Sequence, residues 1–143
     1  MELKGIKALV VGAGKSGISA AGLLMKEGAR IVLYDSNREL TTEDVRKKLP
    51  EAYNGRIILG DLPDDVRDEA ELLILSPGVP TDLDYVNAIR KRGIPVWGEI
   101  ELAYRFARGQ LVAVPGTHGK TTTTTLLGEI MKPSYHSVCV VGK

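Results

Sequence analysis

Two stretches of this chain hold residue types that can do chemistry, and both are chemistry of phosphate. The first is Val114-Pro-Gly-Thr-His-Gly-Lys-Thr-Thr-Thr-Thr-Thr125. An apolar run precedes it (Leu111–Val114), and a helix-forming run, Thr121–Lys132, follows. Strand, glycine turn, then lysine and hydroxyl at a helix start is the layout of a phosphate cradle. Main-chain N–H groups of the turn and of the first helical turn converge on one spot, where the helix dipole favours an anion. Lys120 adds a point charge for terminal phosphates, and the Thr121 hydroxyl is suited to Mg²⁺. The strict pattern G-x-x-x-x-G-K-[ST] is not met, because Val114 stands where its first glycine belongs. The competing reading is a Gly/Thr-rich turn before a helix. Five consecutive threonines weigh against it, since β-branched residues are poor helix formers.

The second stretch is Gly12-Ala-Gly-Lys-Ser-Gly17, a G-x-G-x-x-G pattern. The apolar run Lys7–Val11 leads into it, and Ile18–Lys26 follows with apolar residues at helical spacing, stopped by Gly28. The next strand, Ile31–Tyr34, ends at Asp35, about twenty residues after the glycines, which is the spacing of a Rossmann-type βαβ unit. The pattern fits a diphosphate at the amino end of the first helix, or close strand–helix packing. Lys15 is a phosphate contact or a solvated first-turn residue. Asp35 either accepts from a ribose or base donor or caps the following turn. In Ser76-Pro77-Gly78 the proline and glycine shape a turn, and Ser76 either donates to a ligand or serves the turn alone.

The elements that must position these groups follow in order. Thr41 or Thr42 caps a helix running to about Leu49, which Pro50 ends. Arg56–Leu59 and Leu72–Leu75 are short strands. Asp82 or Asp84 caps a helix to Arg92, with Gly93 as its stop, and Ile94–Trp97 is the fifth strand. The alternation predicts an α/β fold, a parallel five-stranded Rossmann-like sheet with helices on both faces. Its notable loops, the glycine turn, Asp35-Ser36-Asn37 and Ser76-Pro77-Gly78, all fall at strand carboxyl ends, where such sheets bind ligands. Residues 1–93 are expected to form this domain. Residues 94–143 are expected to be a linker, with a bridging helix Glu99–Arg108, and the start of a second, P-loop unit ending in a strand from Ser137 to Val141.

Composition narrows the partners. Apolar residues at 43% and charged ones at 26% are those of a water-soluble globular chain. A formal net charge of +1 gives no general electrostatic attraction for nucleic acid or an anionic membrane, so a bound polyanion must be held by local geometry. A small-molecule ligand is the expected partner, and nothing in the sequence specifies an oligomer. The single Cys139 excludes an internal disulfide and fits a reducing compartment. The apolar run near the N-terminus is too short for a signal-peptide core or a membrane span, so the expected location is cytoplasmic. Trp97 and Tyr104 read as packing residues, Glu99 and Glu101 as a solvated helix start, and His136 as surface. No Ser-His-Asp triad or metal cluster is apparent; the chemistry would be positional and electrostatic, as in phosphoryl transfer.

Four motifs in this order, VVGAGKSGISAA, LILSPGVP, GIPVWGEIELAYR and GTHGKTTTTTLLGEI, resemble the Mur ligase family, and the resemblance runs from Lys4 to Val141. It implies an N-terminal domain that holds the UDP part of a muropeptide rather than NAD. Gly14, Lys15 and Ser16 would lie at the diphosphate, and Asp35, Ser36 and Asn37 on the uridine side, with Ser76, Pro77 and Gly78 close by. Gly116, Thr117, His118, Gly119, Lys120, Thr121 and Thr122 would bind ATP. Lys120 and Thr121 would be the catalytic pair, with Mg²⁺ on Thr121. The implied reaction adds D-glutamate to UDP-N-acetylmuramoyl-L-alanine in peptidoglycan synthesis, by way of an acyl phosphate. His118 stands where that branch usually has Asn and is more typical of the L-alanine-adding branch. Pro115 replaces a small residue or Thr, and Lys143 stands where Asn is expected. Most of the ATPase domain and the amino-acid domain of such a ligase are not in these 143 residues, so this chain is expected to bind nucleotide without ligating. An NAD-binding Rossmann module is the alternative from a different class; it leaves Gly116–Thr125 unexplained.

Overall fold

The computed structural model describes residues 1–106. Within them five strands alternate with five helices. The strands are β1 (Lys7–Val11), β2 (Arg30–Asp35), β3 (Arg56–Leu59), β4 (Leu72–Leu75) and β5 (Val96–Gly98). The helices are α1 (Lys15–Lys26), α2 (Thr42–Lys48), α3 (Asp64–Glu69), α4 (Asp84–Lys91) and α5 (Glu99–Phe106). Every strand pair is parallel and the spatial order is β3-β2-β1-β4-β5. β1 lies at the centre, so the chain winds outward first to one side and then to the other. The reversal falls between β1 and β4.

The alternation of side chains along each strand sorts the core into two layers. Ala8, Val10, Ile31, Leu33, Leu72 and Ile74 point to the face covered by α1, α2 and α5. Leu9, Val11, Tyr34, Leu73 and Leu75 point to the face that packs Val66 of α3 and Val86 and Ile89 of α4. Burial on both faces is why β1 and β4 read as unbroken apolar runs. No helix among the described residues is long and apolar enough to cross a membrane.

The helix ends follow local chemistry. Thr41 caps α2, its hydroxyl accepting from Asp44 N–H at 3.2 Å. Gly28 takes φ +81° after α1, and the Ala29 amide returns to Leu24 O at 3.1 Å. α1 starts at Lys15, one turn ahead of the apolar periodicity, because Lys15 and Ser16 face outward and leave no hydrophobic mark. Neither Asp82 nor Asp84 caps α4: the cap position is Leu83, without a side-chain bond. Asp82 contributes its carbonyl instead, accepting from Asn87 Nδ2 at 3.1 Å. Helix α3 carries one buried apolar residue, Val66, in six positions, which is too few to show a period.

Beyond the expected boundary at residue 93, β5 and α5 pack in the same compact unit as the elements before them. β5 pairs with β4, Ile74 registering with Trp97, and α5 buries Leu102 in the same core as α1. Trp97 is buried, with the Arg105 guanidinium 4.5 Å above its ring and Phe106 at 6.1 Å. Arg105 also pairs with Glu101 at 2.8 Å. Tyr104, expected to pack, is 67% exposed because it sits on the opposite side of α5 from Leu102. Leu102→Ala should cost about 2–4 kcal/mol in urea denaturation of the whole chain. A loss below about 1 kcal/mol would place α5 outside the core.

Candidate functional site

The loops after β1 and β4 leave the sheet towards opposite faces, and a cleft of about 750 Å³ opens at the carboxyl ends of the strands. Ligands of open α/β sheets bind at such a reversal, and the volume suits a nucleotide-sized molecule.

Its polar wall is the glycine turn. Gly12 has φ +108°, which a side chain rarely adopts, and a Cβ there would lie 2.5 Å from Ser76 Oγ. Gly17 is tighter still: an added Cβ would lie 1.6 Å from the Gly12 carbonyl oxygen. That contact seats the first turn of α1 directly against the end of β1. Gly14 has open space on its Cβ side. The first intrahelical bond of α1 runs from Ile18 N–H to Gly14 O at 3.0 Å, so the amides of Lys15, Ser16 and Gly17 precede it. The first turn has no acidic residue, and Lys15 is exposed. Three amide donors, the positive end of a helix and an exposed ammonium group give this turn the chemistry that suits an anion.

Asp35 ties the turn in place. Its Oδ2 accepts from Ala13 N–H and its Oδ1 from Asn37 N–H, both at 2.9 Å. It therefore both caps its own turn and braces the glycine loop across 22 positions of sequence. Ser36 lines the cleft. Asn37 does not: its Oδ1 accepts from Glu39 N–H at 2.9 Å and the residue is exposed outside the lining.

The loop after β4 forms the facing wall. The Val79 amide donates to Ser76 O at 3.0 Å, closing a turn over Pro77 and Gly78. The Ser76 hydroxyl is sealed against the glycine turn and has no hydrogen-bond partner among the described residues. Ser76 so touches the ligand space through its backbone and its turn, not through a solvent-facing hydroxyl.

The apolar floor was not legible in the glycine pattern. Leu83, Val79, Pro80 and the tyrosines Tyr34 and Tyr85 supply it. The two rings meet edge to face at 6.4 Å and 89°. Tyr34 Oη donates to Gly60 O at 2.6 Å. Burial, with the neighbouring Tyr34 and then Asp35 carboxylate adding to it, pushes the Tyr85 hydroxyl up to about 12, so it stays protonated at neutral pH. The signal was present in sequence only as Tyr34 at a strand end and Tyr85 in the first turn of α4. Gly116, Thr117, His118, Gly119, Lys120, Thr121 and Thr122, the expected ATP and Mg²⁺ residues, lie outside the described residues.

The two glycines separate packing from ligand space. Gly17→Ala should destabilise the chain by about 2–4 kcal/mol, because backbone has to move. Gly14→Ala should cost no more than about 1 kcal/mol, the loss of a glycine at a helix cap. Thermal and urea denaturation read both; equal costs would mean that the β1–α1 contact does not set the turn.

The model of the Mur ligase MurD-like N-terminal domain matches residues 6–98, which spans the sheet and both cleft loops. The UDP-N-acetylmuramoylalanine–D-glutamate ligase of Lachnoclostridium phytofermentans is 57% identical over 142 residues, covering 99% of this chain and 31% of the relative. The ligase of the same name from Caldicellulosiruptor saccharolyticus is 48% identical over 143 residues, covering 99% of this chain and 32% of the relative. The chain thus spans about a third of the length of these curated relatives. Among solved structures, the UDP-N-acetylmuramate–alanine ligase MurC of Thermotoga maritima superposes with a TM-score of 0.56 at 25% identity, over 89% of this chain and 29% of that one. With the motifs, the sheet order and the family match in agreement, this chain belongs to the Mur ligases as a MurD-like N-terminal domain.

Proposed function

We propose that this chain is the N-terminal part of the ligase that adds D-glutamate to UDP-N-acetylmuramoyl-L-alanine, and that its cleft holds the UDP end of that substrate. The observation that carries the reading is the 57% identity that continues through 99% of the chain, past the sheet and into residues 107–143. The cleft supports it. Lys15 and the amides at the front of α1 suit a diphosphate, Asp35 and Ser36 lie beside it, and the tyrosine floor suits a planar base.

The chemistry of the whole ligase would also need ATP and Mg²⁺. In this reading Gly116–Thr122 bind the phosphates, with Lys120 and Thr121 in the roles their sequence pattern suggests. ATP would supply the phosphoryl group that activates the substrate carboxylate for attack by the amino group of D-glutamate. What the described residues contribute is binding and orientation: they hold the nucleotide handle so that the far end of the substrate is presented to the rest of the enzyme. The L-alanine-adding assignment rests on His118 alone, whereas the curated relatives above carry the D-glutamate name. An NAD module leaves Gly116–Thr125 unexplained and runs against the MurD-like family match over residues 6–98.

Calorimetry tests the reading. UDP-N-acetylmuramoyl-L-alanine should bind with measurable heat, and NAD⁺ and NADH should give none. Lys15→Ala should weaken the muropeptide by roughly tenfold, the loss of one charge-assisted contact. Binding of NADH with none of the muropeptide would reverse the assignment.

A further inference from the structure

A second hollow, of about 490 Å³, lies at the opposite end of the strands from the glycine turn. Lys7, Arg30 and Arg56 line it at the starts of β1, β2 and β3. Register and alternation put all three on one face of the sheet. Lys7 is paired with Arg30, and Arg56 with Val32. Lys7 lies on the side of Leu9, Arg30 on that of Val32, and Arg56 on that of Ile58. Leu9, Val32, Val66 and Ala70 give the hollow an apolar wall. Over the starts of β2 and β3 this face lacks a helix among the described residues: α1 and α2 pack against them from the other side, α3 leans on β1, and α4 meets β2 at Tyr34, near the other end of the strand.

The charges are unbalanced. Glu69, the one acidic residue lining the hollow, is taken by Lys7 at 2.9 Å. Arg38, Arg67 and Arg105 each hold a carboxylate, and Arg90 and Arg92 hold main-chain carbonyls. Arg30 and Arg56 hold neither among the described residues, a condition shared only by Arg46 on α2. Two guanidinium groups on adjacent strands beside an apolar wall match a ligand with an anionic head and an apolar body. The volume limits it to a small molecule.

We propose that this hollow is a second binding site, separate from the nucleotide cleft, for a small amphipathic anion held at its carboxylate, phosphate or sulfonate by Arg30 and Arg56. The probe is 2-naphthoate, titrated into the ¹⁵N-labelled 143-residue chain and followed by amide chemical shifts. Saturable shifts are expected at Ala8, Ile31 and Val32, with the glycine turn unmoved. Arg30→Gln with Arg56→Gln should raise the Kd roughly fivefold at an unchanged Tm, as two exposed charge contacts are lost. If the double variant unfolds, Arg56→Gln alone and an increase in KCl from about 0.05 to 0.5 M should each weaken binding. The proposal is overturned if neutral 2-naphthylmethanol binds as well at the same amides. It is equally overturned if binding ignores salt and the arginine variants, or if no saturable shift appears by about 10 mM, where Kd values describe negligible affinity.

Discussion

The structure turns on one contact, Gly17 against the carbonyl oxygen of Gly12. With a Cβ position only 1.6 Å from that oxygen, any other residue would force α1 away from the end of β1. The contact aims the helix's unsatisfied amides at the space between β1 and β4, where the sheet reverses its winding. Ser76 closes the same point from the β4 side, and Asp35 fixes it from the β2 side through Ala13 N–H. Three strands therefore converge on one turn, and the cleft is built before any ligand arrives. Preorganisation of this kind reduces the ordering that binding must supply.

Much of this could be read in the sequence. β1 and β4, buried on both faces, read as continuous apolar runs, and the half-buried edge strand β3 as a shorter one; the expected bounds of all three match to the residue. Glycines at Gly28 and Gly93 marked helix ends because positive φ is needed there. The glycine turn and the loop after β4 were found because small residues and proline are required for backbone approach and turning, which is a property of residue type.

The rest was hidden for equally physical reasons. Helix α3 is too short for a period, and the start of α1 carries no apolar side chain. Tyr34 and Tyr85 are 51 positions apart in sequence and meet only because β2 and α4 pack on the same face of the sheet. Asp35 showed its two readings in sequence, but only the fold reveals that its carboxylate spans two loops at once. β5 is legible as the fifth strand, but its three residues leave its bounds loose, and only pairing with β4 shows which edge of the sheet it takes.

The claim on which the account rests is that the front of α1 is the diphosphate seat. A crystal structure of the chain with UDP bound tests it most directly. The account predicts phosphate oxygens within hydrogen-bonding distance, about 3 Å, of the Ser16 and Gly17 amides, with Lys15 alongside. Bound UDP with its phosphates elsewhere, and those amides facing only water, would contradict it.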